Sequence, residues 1–388
     1  MSKGAGRAGW QTKKLGDVAT LQRGFDLPTQ DRVSGEVPLV SSSGVIDTHH
    51  EIGVRGPGVA TGRSGSIGNV FFIEEDFWPL NTVLYVKDFH GNDPRFVFYL
   101  LKHFDLSRFA SGTGVPTLNR NFVHEELVNT PVFPEQQRIV AILDEAFDGI
   151  AAAKANAEKN LENARRVFES AFAALADEFD QRSWARTTVA DVALAKKGSI
   201  RTGPFGSQLL HGEFVGEGIA VLGIDNAVSN EFRWGKRRCI TPEKFKLLSR
   251  YRVKPGDVLI TIMGTCGRCA IVPDDIPTAV NTKHLCCITL DPRKCLPGFL
   301  HGYFLYHPTA QRFLAEQAKG SVMPGLNMGI IKNLPLLLPP LDQQLAVLQR
   351  FDALRAETQR LESLCRQKLA ALDALKKSLL DRAFSGLL

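Results

Sequence analysis

One glycine-rich segment of the sequence combines groups that can contact a phosphate or the edge of a base. Thr61-Gly-Arg-Ser-Gly-Ser-Ile-Gly68 brings flexible backbone N–H groups, hydroxyls and an arginine into one predicted turn, and such a turn can approach an anionic ligand closely. Gly264-Thr-Cys-Gly-Arg268 repeats a hydroxyl and an arginine in a similar frame. A tight turn between strands that needs glycine at positive φ is the alternative, and the pattern leaves both interpretations open.

Further polar segments favour the same chemistry. Residues 110–120 and 319–327 combine hydroxyl, amide and cationic side chains before each of two long apolar-patterned stretches, and they either contact DNA or only shape the return of the chain. Net charge is +6, which suits a nucleic-acid partner. Basic groups concentrate in the second half, at 196–197, 236–238 and 244–252, although a solvated basic face explains each group equally well. The predicted DNA-contacting residues are Arg23, Arg63, Ser64, Ser66, Asn119, Arg120, Lys197, Arg201, Gln208, Lys236, Arg237, Thr265, Arg268, Lys283 and Lys319.

Signatures of catalysis are missing from the sequence. There is no phosphate-cradling G-x-x-x-x-G-K-[ST], no G-x-S-x-G elbow, and no Asn-Pro-Pro-aromatic tetrad of amino-methyltransferases. His49-His50 falls between turn signals and is interpreted as a polar loop pair. Cys266, Cys269, His284 and Cys286 have zinc-ligand chemistry, but buried or incidental thiols are the favoured interpretation. We therefore predict a binding protein without a metal site.

Two related modules must position these residues, because the chain repeats itself. The opening motif at Trp10 returns at Trp184, and Leu80-Asn-Thr82 returns as Val280-Asn-Thr282. We pair Gly62 with Gly264 at an offset of 202 residues, and Gln136 with Gln343 at an offset of 207. Since the opening offset is 174, the second module carries about 28 extra residues before its glycine turn. A repeat of this length indicates duplicated domains rather than a solenoid.

Each module has short apolar runs punctuated by Gly, Pro, Asn and Asp, which predict strands. A helix is predicted near Pro94 to Phe104 and another near Pro297 to Tyr306, where proline suits the first helical position. The fold class is therefore α+β. At 388 residues, with 44% apolar content, the chain is long enough for two or three domains. No run approaches the roughly 18 apolar residues of a membrane span, and the first residues lack a signal core, so we expect a soluble cytoplasmic protein.

The segments after the modules predict two long helices, from Pro134 to about Asp177 and from Asp342 to about Phe384. At about 1.5 Å per residue each helix would be roughly 60–65 Å long. The simplest packing pairs the two helices antiparallel in a coiled coil, with a module at either end; a generic dimerisation coiled coil is the alternative. The predicted domain boundaries are 1–133, 134–178, 179–339 and 340–388. The predicted seam of the second helix is Phe351, Leu354, Thr358, Leu361, Cys365, Lys368, Leu372, Leu375 and Leu379.

In this order, the motifs resemble the specificity (S) subunit of type I restriction–modification systems. The similarity runs almost end to end, although each motif alone is weak. In the first half it covers residues 23–28, 61–68, 78–82, 115–119 and 134–137. In the second half it covers residues 203–207, 221–226, 255–259, 263–267 and 341–344.

The resemblance implies two globular target-recognition domains, separated by two long antiparallel coiled-coil helices in a pseudo-twofold arrangement. Each domain would read one half of a bipartite double-stranded DNA target. Because the modules differ by the insertion, the half-sites should differ. The family's S subunit is non-catalytic, recruits two modification subunits that use S-adenosylmethionine, and is joined by restriction subunits. S-adenosylmethionine, ATP and Mg are thus expected on partner subunits, with no cofactor and no membrane contact here. The predicted partner-docking residues are Glu135, Gln136, Gln137, Asp342, Gln343 and Gln344.

Two other classes of function remain open at this point. A catalytic DNA methyltransferase or nuclease would consume S-adenosylmethionine or cut DNA without partners, and the missing motifs count against it. A coiled-coil scaffold for protein interactions would fail to bind DNA even with methyltransferase subunits present.

Overall fold

The computed structural model describes residues 9–111, 116–177, 184–318 and 325–388. The chain forms two compact units, Met1–Lys159 with Cys365–Leu388, and Asn160–Leu364. Each unit therefore contains one module and a segment of each long helix. No helix within the described ranges is both long and apolar enough to span a membrane.

Module 1, in the first unit, is built on two small sheets. A four-stranded antiparallel sheet has the order β2-β8-β5-β6, a second sheet has the order β4-β3-β7, and β1 pairs with β11. In the second sheet β3 runs parallel to β7. The strands are β1 (Trp10–Lys14), β2 (Thr20–Arg23), β3 (Val37–Ser41), β4 (Gly44–His49), β5 (Gly58–Gly62), β6 (Val70–Ile73), β7 (Trp78–Pro79), β8 (Val83–Asp88), β9 (Ala110–Ser111), β10 (Thr117–Leu118) and β11 (Leu127–Pro131); the helices are α1 (Pro94–His103), α2 (Arg120–His124) and α3 (Phe133–Asp177).

Module 2, in the second unit, repeats this topology. Its four-stranded sheet has the order β13-β19-β16-β17 and its three-stranded sheet the order β15-β14-β18, again with one parallel pair. The strands are β12 (Ala185–Thr188), β13 (Ile200–Thr202), β14 (Ile219–Leu222), β15 (Cys239–Ile240), β16 (Val258–Thr261), β17 (Cys269–Ile271), β18 (Ala279–Asn281), β19 (Leu285–Ile288) and β20 (Pro335–Leu338). The helices are α4 (Val189–Val192), α5 (Pro242–Leu248), α6 (Pro297–Tyr306), α7 (Pro308–Ala318), α8 (Met328–Lys332) and α9 (Leu341–Phe384). The predicted α+β class and the duplicated modules are confirmed.

The glycine turns show which residues of the modules are equivalent. Gly65 and Gly68 both have φ of +81°, and Gly264 and Gly267 have φ of +75° and +78°. Residues with a Cβ rarely adopt this left-handed backbone, which explains the glycines. The predicted pairing of Gly62 with Gly264 is therefore wrong by three residues. With the true offset of 199, the insertion before this turn is 25 residues rather than 28.

The loop before β8 or β19 needs a similar correction. Thr82 O accepts a hydrogen bond from Arg63 N at 2.8 Å, and His284 O accepts the corresponding bond from Ile262 N at 2.9 Å. Thr82 is thus equivalent to His284 and not to Thr282. The Asn281-Thr282 pair, which repeats Asn81-Thr82 in sequence, lies two residues before the structural equivalent, Lys283-His284.

A buried glutamine ties helix α3 to module 1. Gln136 accepts a hydrogen bond from Asp93 N at 2.9 Å, and its amide donates to Asn92 Oδ1 at 2.8 Å and to Pro131 O at 2.9 Å. Asp93 is the N-cap of α1, so its side chain accepts from the first-turn N–H groups of that helix. The single glutamine therefore joins the start of α1, the end of β11 and the long helix.

Gln344 has the same role in the second unit. It accepts from Leu296 N at 2.9 Å and donates to Lys294 O at 2.8 Å and to Pro339 O at 2.9 Å. Leu296 again is the residue before a closing helix, α6. The structural partner of Gln136 is thus Gln344, at an offset of 208, and the predicted pairing with Gln343 is wrong by one residue.

In the first unit the start of α3 lies antiparallel to the end of α9. Lys154 Nζ lies 2.7 Å from Asp373 Oδ1, and Arg138 donates to Leu388 O at 2.8 Å. Phe384 packs against Phe96 of α1, with 5.4 Å between ring centroids. The core of this unit therefore lies between the sheet, α1 and segments of both long helices.

The second unit shows the same packing between the end of α3 and the start of α9. Arg165 pairs with Glu362 at 3.0 Å, and Phe168 stacks on Phe351 with centroids 4.7 Å apart. Phe172 is fully buried against Phe299 of α6, with 5.7 Å between ring centroids. The predicted long antiparallel helices are confirmed in each unit.

The predicted seam of α9 is correct at some positions and wrong at others. Thr358 is buried as expected, but Leu361, Lys368 and Leu375 point to solvent. Leu361 and Leu375 are 40% and 47% exposed. Four-residue steps from Thr358, Cys365 and Leu372 follow the 3.5-residue repeat, whereas the prediction placed three-residue steps there. The half-buried residues at those steps are Glu362, Leu369 and Lys376.

Candidate nucleic-acid interface

The glycine turn of module 1 is fastened to its neighbours by backbone hydrogen bonds. Arg63 N and Ser64 N both donate to Thr82 O, at 2.8 and 3.2 Å, and Leu118 N donates to Arg63 O at 2.8 Å. The Arg63 guanidinium donates to Asn81 O at 3.3 Å and is half-buried. The turn is thus a fixed platform whose arginine also supports the adjoining loop.

Arg23 joins this platform through an acidic residue. Its guanidinium donates to Asp26 at 3.0 Å, and Asp26 also accepts from the Asn81 amide. Ser66 is exposed at the tip of the turn. The structure therefore brings Arg23, Arg63 and Ser64 together beside the Asn81-Thr82 loop, with Ser66 on the same turn. Because Asp26 offsets the charge of Arg23, this surface offers mixed donors and acceptors rather than a purely positive patch.

Asn119 and Arg120 have local structural contacts. Asn119 caps α2, accepting from Asn121 N at 3.0 Å. Arg120 is exposed and donates to Leu21 O at 3.4 Å. Leu21 lies in β2, so Arg120 contacts the strand that also carries Arg23.

The corresponding turn of module 2 carries more positive charge. Thr265 and Arg268 are exposed, and Lys283 lies half-exposed on the adjacent loop. Desolvation lowers the pKa of His284 below its ordinary value, and the nearby charges of Lys283 and Arg238 lower that pKa further. Arg268 on the turn and Lys283 on the adjacent loop thus lie close together, with Arg238 nearby in an ion pair with Asp225. An anionic group would be favoured beside the Arg268 and Lys283 side chains.

Part of the insertion of module 2 forms a second exposed surface, in the loop between β14 and β15. Lys236 and Arg237 are exposed, and the Arg237 guanidinium lies 5.4 Å from the centroid of the Trp234 ring. Arg238, by contrast, is paired with Asp225 at 3.0 Å. Cation and aromatic side chains of this kind are typical of nucleic-acid contacts.

Lys197 lines a third surface, a cleft of about 490 Å³ that we call the cationic cleft. Its walls carry Lys196 and Lys197 on one side and Arg250, Arg252 and Lys254 on the other. The predicted second-module residues therefore lie in three places, the turn, the insertion and the cleft, rather than in one.

Arg201 forms the floor of this cleft, and its predicted role as a DNA contact is wrong. It is 9% exposed, and its guanidinium lies 2.6 Å from Asp257, which is 1% exposed. It also donates to Arg252 O and to Thr289 Oγ1. A guanidinium fully used inside the fold is not free to contact DNA, so Arg201 is a structural residue. Its acidic partner is 56 residues away in sequence, beyond the reach of a local pattern.

Two remaining predictions have different outcomes. Gln208 is exposed and accepts a hydrogen bond from Tyr251 OH at 2.9 Å. Lys319 lies outside the described residues.

The predicted partner-docking residues include both buried and exposed side chains. Gln136 and Gln344 are 2% and 0% exposed and fully hydrogen-bonded, so as docking residues they are corrected to structural ones. Glu135 pairs with Arg138 at 2.7 Å. Gln343 accepts from Trp184 Nε1 at 2.8 Å. The side chains of Gln137 and Asp342 are exposed.

The cysteines of module 2 lie mainly in its core. Cys269 and Cys286 are fully buried among apolar side chains. Burial raises the pKa of the Cys286 thiol to about 12 and raises that of Cys269 also. Both therefore remain protonated at neutral pH and pack as small apolar residues. Within the described ranges, no group of three metal-ligating side chains is found.

The sequence did not show that the Asn81-Thr82 loop contacts the glycine turn, nor that two separate basic segments line one cleft. Asn81 and Thr82 were visible as a repeat, but their contacts with Arg63 depend on strand pairing. Lys254 gave no separate signal, because a single lysine before Pro255-Gly256 resembles any surface turn.

Two copies of one α+β module, each with a polar or basic turn and segments of two long helices, define a duplicated binding protein. A family model described as the type I restriction modification DNA specificity domain matches residues 7–163 and 218–369. The chain belongs to this family. Residues 164–217, which include Lys197 and Arg201, lie between the two matched segments.

Curated relatives agree with the family. The chain is 28% identical to the type I restriction enzyme EcoBI specificity subunit of Escherichia coli over 175 residues, which are 45% of this chain and 36% of that protein. It is 20% identical to the MjaVIII specificity subunit of Methanocaldococcus jannaschii over 401 residues, covering 97% of this chain and 92% of that one. The chain thus spans about a third of the first relative and nearly all of the second.

Solved structures share the fold. One chain, from a structure described as the structural basis of complex assembly and conformational transition of the type I R-M system, matches with a TM-score of 0.77 and 17% identity, covering 98% of this chain and 99% of that one. The HsdS subunit from Thermoanaerobacter tengcongensis matches with a TM-score of 0.60 and 18% identity over all of both chains.

Proposed function

We propose that this chain is the DNA-reading subunit of a type I restriction–modification complex, with each module reading one half of an asymmetric bipartite target. The observation that carries the proposal is the duplicated frame with unlike surfaces. The glycine turns and the buried glutamines are equivalent, whereas residues 223–238 separate β14 from β15 in module 2 and only residues 42–43 separate β3 from β4 in module 1. Equal frames with unequal loops suit two half-sites of different sequence.

The long helices would set the spacer between the half-sites and dock two modification subunits. Support for docking comes from exposed apolar side chains on these helices rather than from the glutamines at their starts. Leu361, Leu364 and Leu375 are 40–48% exposed on α9. Apolar residues left in water on a helix are favoured positions for a partner protein.

The chain itself would be non-catalytic. S-adenosylmethionine would bind the modification subunits, and ATP and Mg the restriction subunits that complete the complex. A DNA-bound complex of this kind would work in the cytoplasm.

Methylome sequencing of a host that expresses this chain with its modification subunit tests the proposal. We expect one methylated motif made of two unlike specific segments and an unspecific spacer. A host expressing the modification subunit alone is the control. A continuous motif, or the same methylation without this chain, would contradict the proposal.

The spacer role has its own test, which removes one heptad from each long helix. Arg165 lies opposite Glu362, so residues 160–166 and 361–367 are removed together to keep the antiparallel register. Seven residues span about 10 Å, close to 3 base pairs. We expect the methylated motif to keep both half-sites and to lose about 3 base pairs of spacer. Deleting 361–367 alone breaks the register and is the matched control; an unchanged spacer in the paired deletion would refute this role.

A further inference from the structure

The cationic cleft of module 2 contains an unusual excess of positive charge. Its lining includes Lys196, Lys197, Arg250, Arg252 and Lys254, and none of its lining residues is acidic. All five side chains are exposed, and none has a carboxylate within 4.0 Å in the part of the chain that the structure describes. Like charges that face one cleft without counter-charges repel each other, and an anion bound between them would relieve this repulsion.

The carboxylate of Asp257, which lies beneath Arg201 at the floor of the cleft, does not neutralise the cations of the walls. Asp257 accepts hydrogen bonds from the Arg201 guanidinium at 2.6 Å, from Lys254 N at 2.9 Å and from Thr289 Oγ1 at 2.6 Å. The Cys287 thiol lies 3.2 Å away as a fourth donor. Its carboxylate is thus saturated within the fold, so the charges of the walls remain uncompensated.

Two chain segments build the walls, and both are held by the fold. Lys196 and Lys197 lie in the loop before β13, where Ser199 N donates to Lys196 O at 3.1 Å. On the other side the Arg250 guanidinium lies 4.7 Å from the centroid of the Tyr251 ring. These contacts order both walls before any ligand arrives, which lowers the entropic cost of binding.

Module 1 has no equivalent of the cleft. By strand pairing, Gln22 occupies the position of Arg201, and Gly58 the position of Asp257. The loop that carries Lys196 and Lys197 is missing as well, because β2 begins at Thr20 directly after the equivalent of Ala193. The cleft is therefore a property of module 2 alone.

The cleft lies at the opposite end of the four-stranded sheet from the glycine turn. Val258 and Ile288 pair at the cleft end of β16 and β19, and Thr261 and Leu285 pair at the turn end. A four-residue strand is about 13 Å long. Both ends of the sheet are thus within reach of one DNA duplex, whose strands carry a phosphate charge about every 1.7 Å along the axis.

We propose that the cationic cleft holds the phosphate backbone of double-stranded DNA, giving module 2 a sequence-independent grip that module 1 lacks. The proposal rests on the DNA-reading function proposed above. The cations of the cleft position the duplex, and the turn and the insertion contact the bases. Free phosphate offers the same chemistry and is separated from DNA by the experiment.

The test measures the salt dependence of DNA binding by the complex of this chain with its modification subunits. The variants are Lys197→Ala, Arg250→Ala and the double variant; Arg312→Ala, an exposed cation on α7 outside the cleft, is the matched control. One duplex carries the methylome-mapped target and another has both half-sites scrambled. Fluorescence anisotropy from about 50 to about 250 mM KCl gives the slope of log K against log[KCl].

We expect each single variant to reduce the steepness of that slope by about 1, and the double variant by about 2, on both duplexes. The slope of the Arg312→Ala control should equal that of the unmodified chain, and all variants should give the same methylated motif. Slopes equal to the unmodified chain's, with tight binding retained, would overturn the grip but leave the DNA-reading function standing. A loss confined to the target duplex would also overturn it, because base contacts would then be involved.

Inorganic phosphate provides the second arm, followed by ³¹P NMR with the same variants. If phosphate binding is lost in the double variant while the DNA slope is unchanged, the cleft holds a free anion and the DNA assignment is wrong. If the unmodified complex binds neither duplex and produces no methylated motif, the proposed function itself fails, and the grip with it.

Discussion

Modules 1 and 2 share a frame but differ in how the same sheet positions are filled. At the edge of the four-stranded sheet, module 1 has Gln22 and, across the sheet, Gly58 packed against the ring of Phe77. Module 2 has Arg201 and Asp257 there, joined in a buried ion pair. The difference shows that duplication preserved the strand order and hydrogen-bonding frame while the chemistry of the surfaces diverged. Variants placed at equivalent positions therefore separate the common frame from the divergent surfaces.

The largest difference is expected where the ion pair replaces neutral residues. Arg201→Met leaves the Asp257 carboxylate buried without its cation and should cost about 3–5 kcal/mol of unfolding free energy. Gln22→Met, the equivalent change in module 1, should cost less than about 0.5 kcal/mol because Gln22 is only half-buried. Urea unfolding of the full chain measures both.

A further variant separates loss of charge pairing from loss of packing. In Arg201→Met/Asp257→Leu both charges are removed, and a substantial part of the lost stability should return. A cost below about 1 kcal/mol for Arg201→Met alone would contradict the structural role of this pair.

An equal effect is expected where the frame is shared. Gln136→Ala and Gln344→Ala each remove three hydrogen bonds and leave a backbone N–H, that of Asp93 or Leu296, without its acceptor. We expect about 2–3 kcal/mol of destabilisation in each case, and values within about 1 kcal/mol of one another. Gln137→Ala, an exposed neighbour, is the control and should change stability by less than about 0.5 kcal/mol. Strongly unequal losses would mean that the two glutamines do not have the same role.

The sequence was sufficient for the duplicated modules and the long helices, because apolar periodicity and repeated motifs extend over many residues. The sequence did not show which glycines and which glutamines of the two modules are structurally equivalent. Gly62, Gly65 and Gly68 recur every three residues, so an alignment by glycine alone has two solutions, and only the positive φ values distinguish them. Adjacent Gln-Gln pairs caused the one-residue error at the helix starts in the same way.

The candidate site was harder to predict, because charge and burial depend on contacts distant in sequence. From the sequence alone Arg201 is a reasonable candidate for a DNA contact. The structure shows that its guanidinium is instead paired with the buried Asp257. Conversely, residues 196–197 and 250–254 are two ordinary basic clusters until the fold places them on facing walls.

The smallest expected difference between the two modules is in the pH dependence of stability, which depends on their buried histidines. In module 2 desolvation lowers the pKa of His301, whose Nε2 lies 2.9 Å from Asn230 O and 3.1 Å from Cys269 O, and burial also lowers the pKa of His307. In module 1 desolvation lowers the pKa of His124, which accepts from Leu21 N at 2.8 Å.

A lowered pKa means that the folded state favours the neutral ring, so the unfolded state binds more protons as pH falls below about 6.5. The contribution to stability is complete above the unfolded pKa of about 6.5 and is lost as pH falls through the folded pKa. Calorimetry between about pH 7.5 and 5.5 should therefore show the second unit losing stability more steeply, by on the order of 0.5 kcal/mol for each histidine that titrates.

His301→Gln, which keeps a donor toward the two carbonyls without a titrating ring, should reduce that excess loss. The same substitution at His124 should flatten only the first unit's profile. If His301→Gln left the pH profile of the second unit unchanged, desolvation of this histidine would not be the cause of the difference. A remaining excess would then be assigned to His307 or His284, whose pKa values burial lowers in the same direction.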